Sequence, residues 1–154
     1  VGMTLACYGA GMVVGALLAP RLVASMSFGH AIVFGPLVSV AAMVTMVATL
    51  RWPQGWLAAA SFFLFGFGPI VWTITSTTLR QTVPPGAMLG RVSAMFLTVN
   101  MGARPLGAAL GGLVGAHWGE AACLWLALLG FLIQAAVIAA SPVRVLGRLP
   151  TTPA

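Results

Sequence analysis

Acid is what this chain almost wholly lacks. Glu120 is the single acidic side chain in 154 residues, and there is no aspartate and no lysine. That excludes paired-carboxylate acid–base catalysis and any carboxylate cage for a hard metal ion. Charge of either sign is scarce, at 5% of residues against about 25% in an ordinary soluble domain, so a water-soluble surface cannot be built. Cysteine is nearly missing too. Cys7 and Cys123 lie far apart in apolar runs and read as two buried free thiols rather than a disulfide or metal pair. His30 and His117 fall near opposite ends of the apolar segments and cannot share a metal. No nucleophile–base pair, metal-ligand set or phosphate loop is present, and the glycines sit inside apolar runs instead of following strands, so they form no nucleotide fingerprint. These absences point away from an enzyme and from any cofactor.

What is there is hydrocarbon. The chain is 60% hydrophobic with a mean hydropathy of +1.07, which predicts an all-α, polytopic membrane protein whose first partner is the lipid bilayer. Five spans are expected, at about 2–18, 28–50, 56–79, 91–115 and 121–140, forming a transmembrane bundle over 1–142 with a disordered cytoplasmic tail at 143–154. The first ends at Pro20-Arg21 and carries the GxxxG step Gly11 and Gly15, a face suited to close helix contact. Gly35-Pro36 is expected to kink the second. The third is expected to break at Gly66-Phe67-Gly68-Pro69, after which Thr73, Thr75, Ser76, Thr77 and Thr78 crowd together. The fifth is apolar except for Gln134, and a loop of His117, Trp118, Gly119 and Glu120 precedes it.

In a soluble protein, seven arginines against one acid would suggest nucleic acid. Here they end apolar segments, so they read as topology signals and no nucleic acid is expected. Taking the connections alternately, one side holds Arg21, Arg80, Arg91, Arg144 and Arg148 and the other Arg51 alone. The arginine-rich side is therefore cytoplasmic, with the N-terminus of the segment outside and the C-terminus inside. Trp52, Trp56, Trp118 and Trp125 gather near the outer face, as interfacial aromatics do. Val1 is not an initiator methionine and no basic region precedes the first apolar run. The expectation is a chain that begins inside a longer protein, with upstream helices before it.

The stretch from Leu79 to Gly115 holds the least expected residue. Arg104 lies about 20 Å along the helix from Arg91, near mid-membrane, where a charge costs about 2.5 kcal/mol or more. Asn100 stands one turn before it, and Pro105, Gly107, Ala108, Gly111 and Gly115 follow. Glu120, the only acid, is about 24 Å further along and beyond the helix end. Two readings stay open. Arg104 either faces an aqueous cavity, attracting an anionic or carbonyl-rich molecule or an acid from outside this chain, or it bonds carbonyls freed by Pro105 and reaches cavity water. The glycines at 107, 111 and 115 read as a helix-packing face. On the third segment, Phe65, Pro69, Trp72, Thr73 and Ser76 are spaced to line a cavity, although such hydroxyls also bond back to their own helix.

The pattern Leu79-Arg80-Gln81-Thr82-Val83-Pro84, then Leu89-Gly90-Arg91-Val92, then Pro105-Leu106-Gly107 and Gly111-Gly112, then Gly119 and a final apolar helix, resembles the major facilitator superfamily. It is most similar to the C-terminal half of drug and siderophore exporters, the group of the enterobactin exporter and macrolide efflux proteins. The likeness covers nearly the whole chain. It implies that the five spans correspond to helices eight to twelve of a twelve-helix fold, with eight and eleven at the interface between halves, ten lining the cavity, and nine and twelve facing lipid. Arg21, Arg80, Gly90 and Arg91 would then belong to the cytoplasmic loops. The chain departs from the pattern where Pro20 stands for the usual aspartate and where Pro85-Gly86-Ala87 replaces an acidic residue.

The resemblance implies part of a secondary-active exporter of drug-like or siderophore-like small molecules, working by alternating access in a bacterial inner membrane. The partners it implies are the missing N-terminal half, a small-molecule substrate and a coupling ion such as H+. With no acid inside the membrane, this chain itself supplies no carboxylate for proton coupling. The alternative is a non-transporting membrane fragment or scaffold that associates through its glycine-rich helix faces.

Overall fold

A hydrocarbon core about 30 Å thick needs roughly 20 helical residues to cross, and in lipid every backbone amide must find its partner within the chain. The computed structural model describes residues 2–82 and 88–142, apart from the side chains of Phe28 and residues 79–82. Four helices follow one another there: α1 (Gly2–Ser25), α2 (Phe28–Ala48), α3 (Gly55–Thr82) and α4 (Leu89–Ala140). All four are long and apolar enough to cross a membrane.

Helix α4 has 52 residues. If straight it would run about 78 Å, more than twice the thickness of the hydrocarbon layer. It does not run straight. Gly119 has φ 82° and ψ 176°, a conformation essentially open to glycine alone, and it divides α4 into a first arm (89–118) and a second arm (120–140). The arms fold back on each other: the Cys123 thiol donates to the Gly111 carbonyl at 3.2 Å, whereas a straight helix would hold those residues about 18 Å apart. Four helices thus stand where five spans were expected, because the last two are merged in α4, whose arms are joined by one residue rather than a loop. His117, Trp118 and Glu120 are helical.

The other boundaries also differ from the sequence reading. Helix α1 runs through Pro20 to Ser25 rather than ending near residue 18. Helix α3 stays continuous across Gly66-Phe67-Gly68-Pro69, so the expected break is absent. The physical reason is the solvent. A proline costs the helix one hydrogen bond, whereas unwinding in lipid would strand several amides with no water to take them. The tail at 143–154, the side chain of Arg80 and the Pro85-Gly86-Ala87 turn lie outside the described residues.

Helix α3 packs between α1 and α2, and α2 carries α4 on its other side, giving a spatial order of α1, α3, α2, α4. The α1–α3 contact is made by backbone on backbone. A methyl at Gly11 would meet the Phe63 carbonyl, and one at Gly66 the Tyr8 carbonyl; Gly15 lies over Phe67 and Ile70. On the opposite face of α3, Gly68 meets Val38 and Gly35 meets Trp72. The largest fully buried side chains are only Val71, Thr75 and Ser61. Small residues let the helices approach closely, which is how helices associate where lipid removes the hydrophobic drive. Long apolar side chains face outward instead, among them Leu17, Val99, Leu106, Leu110 and Val137. Such a surface suits hydrocarbon and not water.

Phe65 of α3 packs against Phe131 of the second arm with the rings tilted and their centroids 5.4 Å apart, and further along both helices Pro69 and Gln134 share one cavity wall. These two helices therefore run in the same direction. Their starts, with Trp52 and Trp56 at one and Trp118 at the other, lie at the same end of the bundle.

Candidate functional site

Near the Gly119 turn the two arms of α4 touch: a methyl at Gly115 would lie 3.2 Å from the Cys123 sulfur. Further from the turn they part, and a methyl at Gly107 or Gly111 would meet nothing within 4 Å. The space between the arms is a groove of about 830 Å³, lined by Asn100, Ala103, Arg104 and Gly107 from the first arm and by Ala127, Gly130, Phe131 and Gln134 from the second. Each set follows a helical spacing of three or four residues, so each is one face of its arm. The small residues at 103, 107, 127 and 130 leave the room that the groove occupies.

Two further hollows adjoin it. One of about 440 Å³ lies between the first arm and α3, lined by Trp72, Thr73, Ser76, Ser93, Phe96, Leu97, Asn100 and Arg104. Another of about 200 Å³ lies among α2, α3 and the second arm, where Gly35, Pro36, Ser39, Pro69, Trp72, Thr73, Phe131 and Gln134 meet. Each of the three shares wall residues with the other two, so they lie side by side and together are called the groove. Its size suits a drug-sized molecule.

Arg104 is the charged group on this wall, about 22 Å from either end of the first arm. Among the described residues it has no carboxylate beside it, and neither Asn100, Arg104 nor Gln134 is held in a hydrogen bond or ion pair. The hydroxyls are partly committed. Ser76 donates to the Thr73 carbonyl at 3.3 Å, and Ser39 to Gly35 at 3.1 Å. The groove walls include no histidine, cysteine, aspartate or glutamate, hence no base to activate those hydroxyls. What the walls present is one guanidinium, two carboxamides and several hydroxyls.

Of the residues singled out in the sequence, Arg104, Asn100, Pro69, Trp72, Thr73 and Ser76 are brought to this groove. Phe65 is not on its walls but supports Phe131 from behind. Gly11, Gly15, Gly66 and Gly68 are packed closely against neighbouring helices, and α3 is continuous through Gly66 and Gly68. Gly107, expected in a packing face, lines the groove instead, and Gly111 also has open space before it; only Gly115 of that series packs, against Cys123. Pro105 leaves the helix unbroken. Gly90 and Arg91 are exposed at the start of α4, and Arg21 is exposed near the end of α1, beside Leu17 and Leu18. The two spans expected to face lipid each also have a face toward the other helices. Helix α2 is the most enclosed of the four, and the second arm turns Gln134 and Phe131 inward. Gln134 was the one polar residue of its span, a signal available in the sequence but without a neighbour to give it a face.

No curated protein matches the chain, and no solved structure does. A family model described as transmembrane secretion effector, of the major facilitator type, matches residues 1–153. Such transporters are in general not enzymes. With apolar helices, a lipid-suited surface and a polar groove between them, the chain belongs to the transmembrane secretion effector family, multi-pass membrane transporters of the major facilitator type.

Proposed function

We propose that this chain is the C-terminal portion of a secondary-active exporter, equivalent to helices eight to twelve, and that its groove is one wall of the translocation cavity. The reading rests above all on Arg104. A mid-membrane charge is costly, and here it is turned onto a groove between helices together with Asn100. The bundle rocks against an N-terminal half to give alternating access, and that half supplies any carboxylate that carries protons. The cargo is a drug-like or siderophore-like small molecule, as in the enterobactin exporter and macrolide efflux group. The setting is a bacterial inner membrane with the arginine-rich connections in the cytoplasm. The rival reading, a scaffold associating through glycine faces, loses the faces of Gly11, Gly15, Gly66 and Gly68, which are occupied within the bundle, and keeps only the open one at Gly107 and Gly111.

The test is proton-driven export by the reconstituted full-length protein, using a panel of lipophilic and siderophore-like compounds with Arg104→Ala beside the wild type. The expected outcome is a loss of about tenfold or more for transported compounds that use the charge. Export of every compound at the wild-type rate by the variant would overturn the role given to Arg104.

A further inference from the structure

The groove combines three polar heads with two aromatic faces. Asn100 and Arg104 sit one turn apart on the first arm, and Gln134 faces them from the second arm across the same hollow. Phe131 and Trp72 supply apolar wall in the hollow that Gln134 also lines. We propose that the groove is an oxyanion-selective site: it takes a lipophilic small molecule bearing a carboxylate or similar oxyanion. Arg104 supplies the charge, the Asn100 and Gln134 carboxamides supply further donors, and Phe131 and Trp72 receive the apolar body. This rests on the reading of the groove as a substrate cavity and goes beyond it by assigning the sign of the substrate charge and a role to Gln134.

The electrostatics decide the sign. A cation entering the groove meets Arg104 and finds no counter-charge on this wall, because the only acid among these 154 residues is Glu120, exposed beside the Gly119 turn. An anion meets an unpaired guanidinium in surroundings of low dielectric, where such attraction is strongest. The carboxamides add selectivity for oxygen, since each offers two N–H donors to an acceptor that has no proton of its own. Depth argues against a phospholipid headgroup as the occupant. Headgroups lie at the interface, and Arg104 is about 22 Å from either end of its arm.

The test is equilibrium dialysis of the purified full-length protein in detergent against three probes with one aromatic body and different heads: naphthylacetate, naphthylacetamide and naphthylethylamine, the last a cation at neutral pH. Naphthylacetate is expected to bind at least about tenfold more tightly than either other probe. Arg104→Gln should level the three, and Arg104→Lys should retain most of the preference, which separates lost charge from lost fold. Gln134→Leu should weaken naphthylacetate by roughly threefold to tenfold and leave naphthylethylamine unchanged. A wild type that binds the amine as well as the carboxylate, or a preference that survives Arg104→Gln, would overturn the site; unchanged naphthylacetate binding in Gln134→Leu would remove Gln134 from it. Selective binding without movement of naphthylacetate into proteoliposomes would defeat the exporter reading while leaving the oxyanion site standing.

Discussion

Ser61 and Thr75 are both buried hydroxyls of α3, yet they do different work. Ser61 donates across the interface to the Ala42 carbonyl of α2 at 2.7 Å, while Thr75 bonds back to Val71 and Trp72 of its own helix, each at 3.0 Å. Only the first ties two helices together. Ser61→Ala is expected to cost about 0.6 to 1.7 kcal/mol, the range for such bonds in membrane proteins, read as a lowered melting temperature in detergent. Thr75→Val, which breaks no contact between helices, should melt within a degree or so of the wild type. At this scale a charge is easy to see in a sequence and an amide is not. Arg104 stands out among apolar neighbours on cost alone, whereas Gln134 is one polar residue in a long apolar run, and nothing local says which way it turns.

Between elements, glycines that look alike in sequence differ in function. Gly66 holds α3 against the backbone of α1 at Tyr8, whereas Gly107 has open groove before it. Gly66→Ala must push two backbones apart, with an expected loss of about 1 to 3 kcal/mol. Gly107→Ala meets nothing and should be neutral or stabilising by up to about 1 kcal/mol through helix propensity. Thermal unfolding of the two variants side by side distinguishes the roles; equal losses would contradict the packing described. The glycine steps were legible as small faces, but spacing alone could not tell a face pressed on another helix from one that borders a cavity. Prolines misled in the opposite direction. Pro20 and Pro69 suggested ends and breaks, yet both lie inside continuous helices because lipid penalises an unwound backbone more than a missing bond.

For the whole molecule, the Gly119 turn and the 49–54 connection fall at one end of the bundle, which gathers Trp52, Trp56 and Trp118 there. In the proposed orientation, with the arginine-rich connections cytoplasmic, that end is external. In a background lacking Cys7 and Cys123, Gln54→Cys should react with a membrane-impermeant maleimide added to intact cells, and Met88→Cys should react only after the cells are opened. Both positions are exposed, so access is set by side and not by burial. The reverse pattern would invert the proposed orientation.

The sequence by itself determined the solvent and the class. Near-absent charge and long apolar runs admit only helices in lipid, and the resemblance in the glycine and arginine pattern agrees with the family match. It also located half of the groove, because Asn100 and Arg104, like Pro69, Trp72, Thr73 and Ser76, share a face by helical spacing alone. Only the tertiary structure decided what stands opposite them. The turn at Gly119 swings the second arm beside the first, so Phe131 and Gln134 join Arg104 across roughly thirty residues of chain. In lipid the apolar pattern that would orient a helix in water is nearly uniform round every span. Which face turns inward is then set by close packing at Gly35, Gly66 and Gly68, and that is a property of the helices together.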